Sequence, residues 1–197
     1  LLAAGQGTRM KSDLPKVLHP IAGAPMLVHA LRAGAGLKPD RKIVVAGHGA
    51  DAVRAVVAVH DPDAQVVIQD RQNGTGDAVA RARPLLEGYR GDAIVLYGDT
   101  PFISAGTLAR MTEARARYDV VVLGFEAADP GRYGRLLMKG ETLERIVEFQ
   151  DADDVIRSVT FCNSGVIAAP AALLFDLIAE TDNNNASGEY YLTDIVR

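Results

Sequence analysis

The 197-residue chain has a single cysteine, Cys162, so it cannot close an internal disulfide or build a metal site from clustered thiolates. Such sparing use of cysteine fits a reducing, cytoplasmic setting. No apolar run approaches the ~18 residues of a membrane-spanning helix. There is no Gly-Lys pair, which excludes a P-loop, and Met10 stands where a dinucleotide fingerprint needs its third glycine. Excess positive charge is absent too. The balance of 21 Lys+Arg against 25 Asp+Glu gives a net charge of −4, which argues against general electrostatic binding of nucleic acid but leaves room for a local basic pocket. No initiator methionine and no charged stretch precede the apolar start, so no signal peptide is expected. Both ends read as cut from a longer chain: Leu1 begins partway through a strand, and Tyr190–Arg197 reads as a helix that stops mid-course.

What is present is ordinary for a globular α/β domain: 48% hydrophobic and 23% charged residues over a length sufficient for one core. Strand and helix signals alternate, which predicts βαβ units and a mainly parallel, twisted sheet flanked by helices. Strands are expected at 42–46, 65–69, 93–97 and 119–125. Helices are expected from Pro25 to Gly34 or Gly36, over 50–59, over about 77–86, and from a Ser104 cap to about Tyr118. After Asp129 the pattern changes. Short strands near 136–138 and 143–149 and a longer one over 158–168 read as an inserted mixed β region. Pro170 then opens a helix to about Glu180, 181–188 is a polar loop, and 189–196 reads as helical.

The chain is organised around Leu1-Leu2-Ala3-Ala4-Gly5-Gln6-Gly7-Thr8-Arg9-Met10, followed by Lys11 and by Leu14-Pro15-Lys16-Val17. An apolar strand end runs into glycines that let backbone N–H groups turn toward an incoming group. Such N–H nests with cations beside them bind phosphate. Arg9 offers a planar fork and Lys16 a movable point charge. Two further stretches, Gln69 with Gly74-Thr75 and Gly98-Asp99, also follow buried strands. In a doubly wound sheet the loops at the strands' carboxyl ends lie side by side, where ligands bind.

Asp99 is the metal-ligand candidate, since Mg²⁺ takes one or two carboxylates together with phosphate oxygens and water. The plainer reading has Asp99 cap the turn before Thr100-Pro101. Gln69 offers an amide that can read a pyrimidine edge, or is an ordinary polar strand end. His19, His29, His48 and His60 read as packing, turn or loop residues, and Cys162 as a small buried side chain.

The phosphate loop with Pro15-Lys16 resembles the signature of sugar-phosphate nucleotidyltransferases. The resemblance narrows when the whole chain is read. Gly74-Thr75-Gly76, Tyr97-Gly98-Asp99, Asp129-Pro130 with Tyr133-Gly134-Arg135, Ile146-Val147-Glu148, Asn163-Ser164-Gly165, and Asn183-Asn184-Asn185-Ala186 running on through Gly188-Glu189-Tyr190-Tyr191-Leu192-Thr193-Asp194 follow in order. Together they are similar to the uridyltransferase domain of the bacterial bifunctional N-acetylglucosamine-1-phosphate uridyltransferases/glucosamine-1-phosphate acetyltransferases. The resemblance implies a Rossmann-like nucleotidyltransferase fold over 1–197 with an inserted mixed β sugar-binding region. It implies transfer of uridylyl from UTP to N-acetylglucosamine-1-phosphate with Mg²⁺, giving UDP-N-acetylglucosamine and pyrophosphate for cell-wall precursors.

Residue by residue, the resemblance assigns Leu2, Ala3, Ala4 and Gly5 to the uridine, and Gln69 and Gly74 to the uracil. Arg9 and Lys16 go to the triphosphate and its charge during transfer, and Asp99 to the metal. It assigns Gly134, Glu148, Asn163, Tyr191 and Thr193 to the sugar, with Thr75 and Tyr97 beside it. Taken without it, Glu148 is a solvated charge on an edge strand and Tyr191 a core tyrosine. The family's second metal ligand, an asparagine, and its left-handed β-helix acetyltransferase half, which forms the homotrimer, have no counterpart in these residues. Two rivals stay open: a cytidylyl- or guanylyltransferase of the same fold, and a nucleotide-binding module without activity. The Asn-rich loop with Glu189-Tyr190-Tyr191 weighs against the first, and the presence of Lys16 and Asp99 against the second.

Overall fold

The fold is that of a computed structural model, which describes residues 1–7 and 10–196. Short apolar runs form its central strands: β1 (Leu2–Ala3), β4 (Ile43–Ala46), β5 (Gln65–Ile68) and β6 (Asp92–Val95). β1 pairs in parallel with β4, and β4 with β5, in the registers Leu2↔Val45 and Val44↔Val66. On its other side β1 meets the chain that leaves β6: Leu2 N donates to Leu96 O (2.8 Å) and Gly98 N to Leu2 O (2.9 Å). The ten-residue β10 (Phe161–Pro170) runs antiparallel to β6 and to β7 (Val121–Glu126). The sheet thus reads β5-β4-β1-β6-β10-β7, with β10 alone reversed.

Alternation along these strands feeds two apolar layers. Leu2, Val45, Ile167 and Ala169 pack with α3 (Thr75–Ala80), α6 (Ala171–Glu180) and the tight turn Leu192–Ile195. Ala3, Val44 and Ala46 pack with α1 (Met26–Ala35) and α2 (Ala50–His60). Val166 and Ala168 pack with Leu108 and Met111 of α4 (Ala105–Arg115). Fully buried side chains such as Leu27, Val44, Leu108 and Leu174 each contribute about 1.5–3 kcal/mol by leaving water. The Ser104 side chain caps α4 as expected, accepting from Thr107 N at 3.0 Å.

The inserted β region is one with the main sheet rather than beside it. β8 (Arg135–Lys139) and β9 (Thr142–Val147) form a hairpin, and β8 joins β10 at Cys162↔Arg135. β10 starts at Phe161, later than expected, because a short helix α5 (Asp154–Arg157) precedes it, capped by Asp153 accepting from Ile156 N at 2.8 Å. A small hairpin of β2 (Pro20–Ile21) and β3 (Ala24–Pro25) was also not expected. The helix expected over 77–86 ends at Ala80 and gives way to a tight turn over Arg83–Leu86, since Pro84 disfavours helix at the residue before it.

The helix expected over 189–196 is corrected as well. Tyr191 is extended (φ −79°, ψ 132°), and only Leu192–Ile195 form a turn. Tertiary bonds outweigh helical ones here. Tyr190 N donates to Asn73 O (2.7 Å), Gly76 N to Tyr190 O (2.8 Å), and Leu192 N to Thr75 Oγ1 (2.9 Å). No helix among the described residues is long and apolar enough to cross a membrane.

Candidate active site

At the carboxyl ends of β1, β5 and β6 the chain leaves the sheet in three loops around a cavity of about 290 Å³, with Leu2, Ala4, Gly5, Gln69, Gly74, Thr75, Tyr97 and Asp99 among its lining residues. A larger cavity of about 350 Å³ opens at the opposite, amino ends of the strands, between Leu31, Leu86 and Phe175, and gathers none of the expected polar residues.

Two glycines make the convergence possible. Gly7 has φ +60°, and a Cβ there would stand 2.6 Å from Lys16 Cβ, so only glycine lets Lys16 pass the phosphate loop. Gly74 has φ +110°, and a Cβ there would stand 2.4 Å from Tyr190 O. Its bareness is what lets the 190–192 segment dock on the loop after β5.

Lys16 Nζ lies 2.6 Å from Asp99 Oδ2, two residues that are 83 apart in sequence. The turn after β6 is closed by Thr100, whose hydroxyl donates to Tyr97 O at 2.8 Å. Asp99 is therefore not the turn's cap, and its carboxylate faces the cavity and the cation. Arg9 lies outside the described residues. Gln72 Nε2 donates to Ala4 O (2.7 Å) and ties the loop after β5 to the phosphate loop. Gln69, 4% exposed, donates from Nε2 to Gly74 O (3.0 Å) and to Asp77 Oδ2 (2.7 Å).

The residues expected at a sugar form a second, continuous group. Thr193 Oγ1 donates to Glu148 Oε1 at 2.9 Å. Gly134 lies against the Glu148 carboxylate, where an added Cβ would sit 3.4 Å from Oε2. Asn163 N donates to Gly134 O (2.9 Å), and its own Oδ1 accepts from Gly165 N (2.9 Å). The Tyr97 ring packs on Gly165 and faces Thr75. Tyr191 is buried; Ser187 lies near its hydroxyl but outside hydrogen-bonding geometry, leaving a buried polar atom in want of a partner. Thr75 and Tyr97 line the cavity as well, so the two groups are contiguous.

Burial pushes the Glu148 carboxyl above its ordinary range; the Thr193 hydroxyl pulls it back, and the charges of Asp151 and Asp194 raise it further. Burial, then the Glu148 charge, push the Tyr97 phenol up, which keeps it neutral and able to donate.

Sequence reasoning missed three supports. Arg135 is fully buried and donates to the carbonyls of Gly131 (3.0 Å), Arg157 (3.1 Å) and Tyr133, fixing the turn that presents Gly134. Asp77 holds Gln69, and Gln72 holds Ala4. Only Arg135 stood in a motif, and nothing in its spacing signalled burial. The asparagine run serves its own loop: Asn185 Nδ2 donates to Glu189 O (2.6 Å) and Asn183 Nδ2 to Gly188 O (3.3 Å).

A divalent cation fits this donor set only with a ligand's help. No group of three or more His, Cys, Asp or Glu residues is placed to hold a metal among the described residues, so Asp99 would supply one carboxylate and a phosphate the rest.

Residues 1–164 match the MobA-like NTP transferase domain. The bifunctional protein GlmU of Ruegeria sp. (strain TM1040) is 65% identical over 196 residues, covering 100% of this chain and 44% of the relative. That of Cereibacter sphaeroides (strain ATCC 17023) is 62% identical and covered to 43%. The chain thus spans less than half the length of these relatives. A solved UDP-glucose pyrophosphorylase complexed with UDP-glucose superposes with a TM-score of 0.83 at 19% identity, covering 100% of this chain and 83% of that one, a likeness of fold.

Proposed function

The chain belongs to the MobA-like NTP transferase family, and from that premise we propose that it transfers uridylyl from UTP to N-acetylglucosamine-1-phosphate, releasing pyrophosphate. The observation that carries the reading is Asp99, paired with Lys16 at 2.6 Å, on the wall of a cavity that Ala4, Gly5 and Gln69 also line. The bifunctional relatives and the motif set of the sequence support the acetylated sugar in particular.

The chemistry asks little of the protein in proton transfer. A phosphate monoester has its second pKa near 6 and is largely dianionic at pH 7. An oxygen of the sugar phosphate attacks the α-phosphorus in line, the bond from that phosphorus to the α,β-bridging oxygen breaks, and the β- and γ-phosphates leave together as pyrophosphate without a general base. Lys16, with Arg9, neutralises the charge that builds on the triphosphate. Gly5 lines the cavity, where its bare backbone leaves room for the phosphates. Mg²⁺, held by Asp99 and the nucleotide, would supply further charge neutralisation at the reacting phosphates. Glu148 and Thr193 accept from and donate to sugar hydroxyls, Asn163 and Gly134 flank them, and the Tyr191 hydroxyl finds its partner there. The assignment keeps the reaction in the cytoplasm. A trimer belongs to the reading only for a chain that also carries the β-helix half.

The test is pyrophosphate release from UTP, N-acetylglucosamine-1-phosphate and Mg²⁺, with CTP, GTP and glucose-1-phosphate in parallel and Asp99→Ala as control. Release confined to the first pair and lost in the variant is expected. Release with CTP or GTP instead, or a fully active Asp99→Ala, would overturn the reading.

A further inference from the structure

We propose that Asp77, braced by Arg81, fixes which end of the Gln69 amide meets the base and thereby selects uracil over cytosine; this rests on, and deepens, the uridylyl-transfer reading. Asp77 stands in the first turn of α3 and divides its carboxylate between two donors. Oδ1 accepts from Arg81 Nη2 at 2.6 Å, one helical turn on, and Oδ2 accepts from Gln69 Nε2 at 2.7 Å. The second hydrogen of that amide goes to Gly74 O at 3.0 Å.

A glutamine amide is a two-fold object: rotating its last torsion by half a turn exchanges oxygen for NH₂ at little intrinsic cost. Its orientation follows from its partners. Here both partners, an ionised carboxylate and a backbone carbonyl, are acceptors only, so the NH₂ must face them. The NH₂ is then spent, and the oxygen is what Gln69 has left to offer to the cavity it lines. An acceptor suits uracil, whose N3 carries a hydrogen. It meets a lone pair at N3 of cytosine, which otherwise differs from uracil only in the neighbouring amino group. With Asp77 removed, only the longer bond to Gly74 O still holds the NH₂ inward, and the amide turns more readily to offer its NH₂ to cytosine. Arg81 matters because it holds the carboxylate in register, the ordinary i,i+4 relation on one helix face.

The experiment compares kcat/KM for UTP and CTP, and calorimetric dissociation constants for both nucleotides, in the wild type, Asp77→Ala, Asp77→Asn and Arg81→Ala. In Asp77→Ala the UTP value should fall about tenfold, mostly through KM, and the CTP:UTP ratio should rise by about tenfold or more. Arg81→Ala should move the ratio the same way by less. Asp77→Asn, whose amide oxygen still accepts from Gln69, should stay nearer the wild type. A ratio within about twofold of the wild type in folded Asp77→Ala overturns the proposal; should that variant not fold, an unmoved ratio in Arg81→Ala does so. The binding arm separates the two readings. A wild type that binds UTP over CTP, with the preference lost in Asp77→Ala, supports the amide lock even if no uridylyl transfer is found. A wild type without such preference sinks it even if transfer occurs.

Discussion

The two ends of the site hold their carboxylates in opposite ways. At the phosphate end Asp99 is balanced by a full charge, Lys16 at 2.6 Å, on loops that leave parallel strands. At the sugar end Glu148 is paired with a neutral hydroxyl, that of Thr193, among side chains set on antiparallel strands, and its carboxyl is raised by burial. Under the proposed function, the difference follows the chemistry each end would face. A triphosphate brings charge and needs mobile cations. A sugar brings neutral hydroxyls and needs fixed donors and acceptors, whose strength comes from desolvation.

The largest test of that contrast is Lys16→Ala. Under the proposed function the charge at the phosphate end is used in the transfer itself, so kcat should fall by about a hundredfold or more, roughly 3 kcal/mol of transition-state stabilisation. KM for the sugar phosphate should hardly change in steady-state assays; a selective rise in that KM would break the division of labour. Next comes Gly74→Ala. Its Cβ would collide with Tyr190 O and require a positive φ, so the 190–192 segment must lift from its loop. Thermal unfolding should show a loss of about 1–3 kcal/mol, and KM should rise for nucleotide and sugar together because Thr75 and Thr193 are both disturbed. A rise for one substrate only would show that the ends are assembled independently.

The smallest effect sharpens the contrast through pH. Because the native Glu148 carboxyl is raised, the folded state binds its proton more tightly than the unfolded chain does. Glu148 therefore favours folding below its unfolded value, about 4.3, and that contribution is lost as pH rises through the raised native value. Denaturant titrations upward from pH 4 should give Glu148→Gln a flatter decline than the wild type, the difference never exceeding about 1.4 kcal/mol per pH unit. A steeper decline in the variant would place a cation, not burial, in charge of Glu148.

The phosphate end was also the more legible in sequence. Its strands are unbroken apolar runs, and its polar residues fall where those runs stop, so Lys16, Gln69 and Asp99 could be put in neighbouring loops from order alone. The sugar end was legible only through its likeness to a family. Glu148 sits just past a strand that alternates no more clearly than a surface strand would. Arg135 looks like any surface arginine until the carbonyls of Gly131, Tyr133 and Arg157 close around it. The extended stretch at Tyr190–Tyr191 was misjudged for a physical reason. Its backbone is satisfied by Asn73, Gly76 and Thr75, partners more than a hundred residues away that no local pattern announces.

That docked stretch also sets a schedule. The hydrogen bond from Leu192 to Thr75 closes a separation of 117 residues, and the one from Thr193 to Glu148 closes 45. Contacts so distant in sequence form late, after the sheet that presents their partners. During synthesis the ribosome adds about 5–20 residues per second, so the loop after β5 waits on the order of ten seconds for the piece that joins it to Glu148. Under the proposed function the nucleotide cleft forms long before the place for the sugar, and a nascent chain short of Leu192 is not yet able to bring the two together.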